Sequence, residues 1–217
     1  MPTDTVVDHP APLETVVFDL GNVLVEWDRR LLYRQLISDP AELDEFLDTV
    51  LTLEVNADLD RGVPLGEVTG ALADRHPDRR ELIEAFRDRW AETLGPVLAG
   101  SVAILEELRA RPLALLALSN WGHDTFAMAE ERLPFLRHFD GVVISGREGV
   151  VKPDPKIFEL LCARHGVVPE TAVFIDDSPA NIAAAARLGF HTVLFTSPDQ
   201  CRRDLIALGL DLSPVTP

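Results

Sequence analysis

Five short runs of apolar and β-branched residues predict the strands of one sheet. Each run is four to six residues long and is followed by polar or turn-forming residues, as is typical of strands buried on both faces. The runs are residues 15–18, 113–118, 141–144, 172–175 and 192–195. The first is separated from the second by almost a hundred residues, whereas the others follow one another closely.

Helical patterns lie between the later strands. Residues 155–165 and 179–188 each begin with proline and end just before a glycine, which are typical start and stop signals of helices. Ser178 precedes the second pattern as an expected N-cap. Strands that alternate with helices of this length predict parallel βαβ units. The predicted fold class is therefore α/β, with a doubly wound parallel sheet.

The long interval after the first strand contains no convincing strand pattern. It is instead predicted to form amphipathic helices at residues 29–37, 40–51, 64–75 and 78–94. The second of these begins within Asp39-Pro40-Ala41-Glu42, a segment that resembles a capping box. We therefore expect a small all-helical module, residues 29–96, inserted into a core formed by residues 14–28 and 97–217. Residues 1–13 contain three prolines and no periodic pattern, and are predicted to be a flexible tail.

Composition and charge narrow the choice of partners. The 217 residues include 47% hydrophobic and 26% charged residues, as in ordinary globular proteins, and carry a formal net charge of −16. This acidic balance predicts no nucleic-acid partner and no membrane partner. The two cysteines match no metal or redox spacing, and neither a membrane-spanning run nor a positively charged leader is apparent. A cytoplasmic location is predicted, and the sequence leaves the oligomeric state open.

Polar residues follow the predicted strands where ligands bind in open α/β sheets, at the carboxyl ends. Asp19 ends the first strand, Ser119 and Asn120 end the second, and Asp176 and Asp177 end the fourth. Lys152 lies in the loop before that fourth strand. It is one of only two lysines in a chain with eighteen arginines. These side chains are expected to converge on one crevice.

The charges in this crevice predict a divalent cation. Three carboxylates and one lysine sum to −2, and close carboxylates do not all stay ionised without a counter-charge. Oxygen ligands of this kind favour Mg²⁺, which prefers one or two carboxylates together with a substrate phosphate. With Asp19 free to attack in line, the constellation indicates phosphoryl transfer through an aspartyl phosphate.

These residues resemble the four motifs of the haloacid dehalogenase (HAD) superfamily. In order along the chain, the matching segments are Phe-Asp-Leu-Gly-Asn-Val at 18–23, Leu-Ser-Asn at 118–120, Lys-Pro-Asp-Pro at 152–155 and Phe-Ile-Asp-Asp at 174–177. The resemblance implies a Rossmann-like core, and a helical cap at residues 29–96 that selects the substrate. The segment around Asp19, with Glu26-Trp27-Asp28 after it, is most similar to bacterial glucose 1-phosphate phosphatases and to the phosphatase domain of soluble epoxide hydrolases.

The resemblance also implies roles for individual residues. Asp19 would be the nucleophile, Ser119 and Asn120 would hold the phosphoryl oxygens, and Lys152 would steady both nucleophile and phosphate. Mg²⁺ would be bound by Asp19, by Asp176 and by the backbone carbonyl of Gly21, with Asp177 supporting the metal through its water. The implied function is Mg²⁺-dependent hydrolysis of a small phosphorylated metabolite of the sugar-phosphate type.

The sequence departs from the superfamily pattern at Gly21. Superfamily phosphatases usually carry an aspartate there, as general acid for the leaving alcohol, and such a donor contributes about 10²–10⁴-fold to the rate. Without it, the rate is expected to depend steeply on the acidity of the leaving group, unless another side chain donates the proton. Asp28 and His123 are the candidates, although single polar residues in loops more often have structural roles.

Two other functions compete with the phosphatase. A 2-haloacid dehalogenase would also use an aspartate nucleophile, but it needs no metal, and Asp176 and Asp177 would repel its anionic substrate. A non-catalytic phosphoacceptor module would use Asp19 only as a phosphorylation site. Trp27, Trp90 and Trp121 are candidates to line a pocket, although aromatic residues at such positions more often pack in the core. Asn56 and Asp60-Arg61-Gly62 of the inserted module are candidates to contact the substrate.

Overall fold

Seven strands lie within residues 12–214, the part of the chain that this computed structural model describes. They are β1 (Thr15–Phe18), β2 (Val25–Trp27), β3 (Leu94–Val97), β4 (Ala114–Ser119), β5 (Gly141–Ile144), β6 (Ala172–Asp176) and β7 (His191–Leu194). Five of them form a parallel sheet in the order β5-β4-β1-β6-β7. The strands β2 and β3 form a separate antiparallel pair.

The helices fall into two groups, one before β3 and one after it. The first group is α1 (Arg30–Tyr33), α2 (Pro40–Thr49), α3 (Leu53–Asp60), α4 (Leu65–Arg75) and α5 (Arg80–Arg89). The second group is α6 (Ala99–Leu108), α7 (His123–Glu130), α8 (Ser145–Glu148), α9 (Pro155–His165), α10 (Pro179–Arg187) and α11 (Pro198–Ala207). Among the described residues, no helix has both the length and the apolar character needed to cross a bilayer.

The parallel sheet is covered on both faces, as a doubly wound fold requires. Successive residues of a strand point to opposite faces, so Val16 and Phe18 pack into one buried cluster and Val17 into another. The first cluster includes residues of α6 and α11, and the second includes residues of α9 and α10. The predicted α/β class with a parallel sheet is confirmed.

Most predicted elements of the core lie within one residue of their observed positions. The first and third predicted strands match β1 and β5, and the helix predicted at 155–165 matches α9, which ends at Gly166 with a φ of 68°. The prediction for residues 1–13 falls mostly outside the described residues.

The prediction for residues 29–96 was wrong at its end, because β3 begins there. This strand carries Gly95 and Pro96, has no buried residue, and pairs only with the three-residue β2. An apolar pattern cannot reveal such a strand. The helix predicted at 78–94 is also divided, since α5 ends at Arg89 and a 3₁₀ turn follows at Trp90–Thr93. Helix α3 was missed.

We call the segment α1–α5 the helical insertion. Asp39 caps α2, because its carboxylate accepts hydrogen bonds from the backbone N–H groups of Ala41 and Glu42. Only this half of the predicted capping box forms, since the Glu42 carboxylate instead accepts a hydrogen bond from Arg79. The insertion shares one continuous hydrophobic cluster with the sheet. Its buried side chains, such as Phe46 and Phe86, belong to the same cluster as Phe18 of the sheet. The division of the chain into an inserted module and a core stays a prediction.

Candidate active site

The carboxyl ends of three neighbouring strands bring the predicted polar residues together. Asp19 directly follows β1, which lies between β4 and β6 in the sheet. Ser119 is the last residue of β4 and Asp176 is the last residue of β6. The register pairs Phe18 with Ala117 and with Ile175, so the ends of the three strands are level. This convergence was predicted from the position of these residues at the carboxyl ends of the predicted parallel strands.

The buried ammonium group of Lys152 contacts two of the carboxylates of the site. Its Nζ lies 2.9 Å from Asp19 Oδ1, 2.7 Å from Asp176 Oδ2 and 2.8 Å from the carbonyl oxygen of Leu118. The ammonium group therefore donates to three acceptors while Lys152 is only 3% exposed. Burial alone lowers the pKa of Lys152, but the carboxylates of Asp19 and Asp176 outweigh it and raise the pKa above its usual value. Lys152 is thus held as a cation.

The side chain of Asn120 holds the backbone of Lys152 in place. Asn120 Oδ1 accepts from the N–H of Lys152 at 2.8 Å, and Nδ2 donates to the carbonyl oxygen of Lys152 at 2.9 Å. The oxygen and the nitrogen of the Asn120 amide are thus both engaged in hydrogen bonds with the backbone of Lys152. If Asn120 holds a phosphoryl oxygen, it must therefore do so with its backbone N–H or with the second proton of its amide. This role of Asn120 stays a prediction.

Three carboxylates form a cluster next to Lys152. An oxygen of each of Asp19, Asp176 and Asp177 lies within 4.8 Å of the others. Burial raises the pKa of Asp19 to about 6, opposed by the Lys152 ammonium and reinforced by the Asp176 carboxylate. Burial and Asp176 also raise the pKa of Asp177. The cluster consists of oxygen donors that repel one another, so it fits a hard divalent cation such as Mg²⁺.

Asp176 is fixed by hydrogen bonds from the start of α10. Its Oδ1 accepts from the backbone N–H of Ser178 at 2.8 Å, and Nδ2 of Asn181 lies 3.0 and 3.1 Å from its two oxygens. Asn181 was not predicted from the sequence to lie in the site. The only available signal was an amide residue in the first turn of a helix that follows two aspartates. Ser178 precedes α10 as predicted, but its side chain makes no capping hydrogen bond.

A cavity of about 170 Å³ opens above Asp19. Its walls combine carboxyl-end residues of the sheet with residues of the helical insertion and of α7. All three predicted tryptophans and two of the predicted insertion residues line it: Trp27, Trp90, Trp121, Asn56 and Asp60. Trp90 and Trp121 pack with their ring centroids 5.9 Å apart, and each has a buried indole N–H without a partner among the described residues.

Comparison with known proteins identifies the family. The sequence model of the family of haloacid dehalogenase-like hydrolases matches residues 13–189 of this chain. The chain belongs to this family. Among its relatives, this haloacid dehalogenase-like hydrolase is 40% identical to a phosphoserine phosphatase from Thermus thermophilus over 117 residues, which cover 52% of this chain and 45% of the relative. It is 25% identical to an (S)-2-haloacid dehalogenase from Burkholderia cepacia over 122 residues, covering 56% and 50%.

A solved structure extends the likeness to nearly the whole chain. A predicted HAD-like family hydrolase from Porphyromonas gingivalis superposes with a TM-score of 0.72 at 27% identity, covering 93% of this chain and 100% of that one. The curated relatives match over a shorter length, since the matches span about half of each of these two. The family and the fold are therefore shown, whereas the two relatives catalyse different reactions.

The helical insertion of this HAD-like hydrolase is packed onto the core beside the cavity. A β-carbon at Gly122 would lie 3.1 Å from Cβ of Leu59, and one at Gly62 would lie 2.8 Å from the carbonyl oxygen of Gly146. Oδ2 of Asp124, in the first turn of α7, accepts a hydrogen bond of 2.9 Å from the backbone N–H of Leu65. A core carboxylate thus caps the first turn of α4.

The two proton donors suggested by the sequence do not line the cavity in the described part of the chain. Asp28 Oδ1 instead accepts from the backbone N–H of Arg30 at 2.8 Å, at the start of α1. His123 is the first residue of α7, and its backbone N–H lies against Gly146. The cavity does contain an acid that belongs to the insertion. Asp60, the last residue of α3, accepts a hydrogen bond of 3.2 Å from Asn56.

Proposed function

We propose that this protein is a Mg²⁺-dependent phosphatase that hydrolyses a small phosphorylated metabolite through an aspartyl-phosphate intermediate. The observation that carries the proposal is Asp19, held at the floor of the cavity between a buried lysine and two further carboxylates. A fixed carboxylate beside a cation and a divalent metal site is what in-line attack on a phosphoryl group requires.

In this mechanism Asp19 attacks phosphorus with one oxygen. Oδ1 already accepts hydrogen bonds from Lys152 Nζ and from the backbone N–H of Leu20, so we assign the attack to Oδ2. Lys152 holds Asp19 in position and keeps it ionised, and it also balances charge on the phosphoryl oxygens. Ser119, which is buried at the end of β4, is assigned to bind a phosphoryl oxygen.

The metal ligands in this proposal are Asp19, Asp176 and the carbonyl oxygen of Gly21, and Asp177 supports the metal through its water. When bound there, Mg²⁺ neutralises charge that develops on the transferring phosphoryl group. The remaining Asp176 contacts, to Ser178 and Asn181, keep that carboxylate oriented. Such supporting hydrogen bonds are typical of metal sites.

The cavity supports a small substrate. Its volume of about 170 Å³ lies below the roughly 300–1,000 Å³ that is typical of pockets for drug-sized ligands. Its walls combine polar side chains, among them Asn56 and Asn120, with the rings of three tryptophans, which suits a leaving group that carries both hydroxyls and a ring. A sugar phosphate has this size and chemistry.

The charge of the site disfavours dehalogenation, the second candidate function. A 2-haloacid is itself a carboxylate, and Asp176 and Asp177 would repel it without contributing to displacement of the halide. The relatives do not decide between the two reactions, since they include a phosphatase and a dehalogenase.

A panel of phosphorylated metabolites tests the proposal directly. The purified protein is assayed for phosphate release with Mg²⁺ and with EDTA, and in parallel for halide release from 2-chloropropionate. We expect turnover of at least one phosphate ester, and we expect EDTA to abolish it. Halide release that persists in EDTA would identify a dehalogenase, and phosphorylation of Asp19 without turnover would identify a phosphoacceptor module.

A further inference from the structure

The cavity contains one acid that the proposed chemistry leaves unused. Among the described residues, the carboxylates lining the cavity are Asp19, Asp60 and Asp177. Asp19 and Asp177 belong to the carboxylate cluster beside Lys152, whereas Asp60 is contributed by α3 of the helical insertion. An acid in the cavity wall outside the metal cluster is free to act on another part of the substrate.

We propose that Asp60 is the general acid that protonates the leaving oxygen of the substrate, the role for which the chain has no side chain at Gly21. This inference rests on the proposed phosphatase function. In-line displacement puts the leaving oxygen on the side of phosphorus opposite Asp19. With the phosphoryl group held at Asp19, the leaving group would extend toward the cavity wall that the insertion forms, which includes Asp60.

The surroundings of Asp60 favour the protonated acid. Asp60 ends α3, where the partial negative charge of the helix dipole destabilises a carboxylate. The charged groups acting on it are Asp19 and Lys152 across the cavity and Arg61 beside it. Burial and then Asp19 raise the pKa of Asp60 to about 7, against the opposing effects of Lys152, Arg61 and the hydrogen bond from Asn56. A pKa near neutrality suits a general acid.

The position of Asp60 is fixed by two close contacts of the chain around it with the core. Leu59 packs on Gly122, and Gly62 packs on the carbonyl of Gly146 at a distance that leaves no room for a β-carbon. Gly62 also has a φ of 95°, which side chains rarely adopt. The end of α3 that carries Asp60 is therefore held against the loop after β4 and against α8, the helix that follows β5.

The proton transfers balance over the two halves of the reaction. In the first half an oxygen of Asp19 bonds to phosphorus, and the bond from phosphorus to the leaving oxygen breaks. That oxygen keeps the electron pair and takes the proton of Asp60, which gives the free alcohol and the Asp60 carboxylate. In the second half water attacks phosphorus and gives a proton to Asp60, while the bond between phosphorus and Asp19 breaks and its electron pair returns to the Asp19 carboxylate.

Asp60→Asn tests this inference, measured with a series of esters that differ in leaving-group pKa. An alkyl phosphate needs a protonated leaving group, so we expect kcat to fall by about 10²–10⁴-fold. 4-Nitrophenyl phosphate releases a stable anion, and its kcat is expected to change little. The wild type should show a shallow dependence on leaving-group pKa, and the variant a steep one. Asp58→Asn, an exposed aspartate on the same helix, is the matched control and should keep the wild-type pattern.

The outcomes separate this inference from the function on which it rests. If the wild type releases phosphate from no ester, the proposed function fails and the role of Asp60 fails with it. If the wild type is active but Asp60→Asn slows all esters equally, or none, the role of Asp60 alone is overturned. The rate with 4-nitrophenyl phosphate also reports whether the variant is folded. Asp60→Ser repeats the test with a smaller side chain if Asp60→Asn does not fold.

Discussion

At the scale of single residues, the site is organised around Lys152. Its ammonium group touches the proposed nucleophile and a proposed metal ligand, and its backbone is held by Asn120. Sequence reasoning found Lys152, because lysine is rare in this chain, and it found Asn120 from its place after a strand. The pairing between the two residues was not predictable, because it depends on how the loop before α9 folds back toward β4.

Asp19→Asn is expected to abolish turnover while the protein stays folded. The amide has the shape of the carboxylate but is not a nucleophile. Because burial already disfavours the ionised form of Asp19, the neutral side chain should not lower stability, and Lys152 keeps its contact with Asp176. The measurements are steady-state rates and thermal melting, with phosphate binding by calorimetry as the control. Activity near the wild-type level would remove Asp19 from the mechanism.

Gly21→Asp is expected to fold and to supply a second proton donor. Gly21 does not have a positive φ, and a β-carbon there would meet no atom within 4 Å. In the Asp60→Asn background, the added acid should recover about tenfold or more of the lost rate with alkyl phosphates. Rates with alkyl esters and far-ultraviolet dichroism are the readouts, and Gly21→Asn is the matched control. A loss of secondary structure would contradict the open space at this position.

At the scale of elements, sequence patterns revealed the strands of the sheet but not the details of the insertion. Strands such as β1 and β6 are fully buried, so their apolar runs are unbroken. The insertion is built from short helices, and β3 is partly exposed, so both give weak patterns. Helix α3, which carries Asp60, was missed for this reason. The sequence suggested Asp60 as a candidate substrate contact, but its proposed role as general acid follows from the three-dimensional arrangement.

Asp124→Ala is expected to weaken the attachment of α4 to the core. The Asp124 carboxylate is the hydrogen-bond partner of the Leu65 N–H, and loss of a helix cap costs about 0.5–2 kcal/mol. Urea denaturation should show a lower free energy of unfolding by about this amount. Glu131→Ala, an exposed position just beyond α7, is the control and should change little. Equal stabilities of Asp124→Ala and wild type would mean that the contact does not stabilise the insertion.

At the scale of the whole molecule, the carboxylate cluster and the net charge of −16 act in the same direction. Both favour binding of a cation, and both oppose binding of nucleic acid. The sequence predicted the cluster because the topology of a parallel sheet brings the ends of β1 and β6 together. It could not predict the size of the cavity, which depends on how the insertion packs. The cytoplasmic location stays a prediction.

Mg²⁺ is expected to raise the melting temperature of the protein. Binding to the native state alone stabilises it by mass action, and the bound cation also relieves repulsion between the carboxylates. The gain should shrink in Asp177→Asn, which removes one negative charge from the carboxylate cluster without changing the shape of the side chain. Asp199→Asn, an aspartate distant in sequence in the first turn of α11, is the control. Equal Mg²⁺ shifts in wild type and Asp177→Asn would place the ion elsewhere.

The buried cluster shared by the insertion and the sheet constrains how a substrate reaches Asp19. Moving the whole insertion would break up this cluster and expose apolar side chains of both parts to water, which costs about 25 cal/mol for each Å² exposed. Beside the cavity, few contacts join the insertion to the core. They are the hydrogen bond from the Leu65 N–H to Asp124, and the packing of Leu59 on Gly122 and of Gly62 on Gly146. We therefore expect the entrance to open by local displacement of the turn between α3 and α4. The proposed acid Asp60 directly precedes that turn, so admission of the substrate and assembly of the catalytic groups would be a single event.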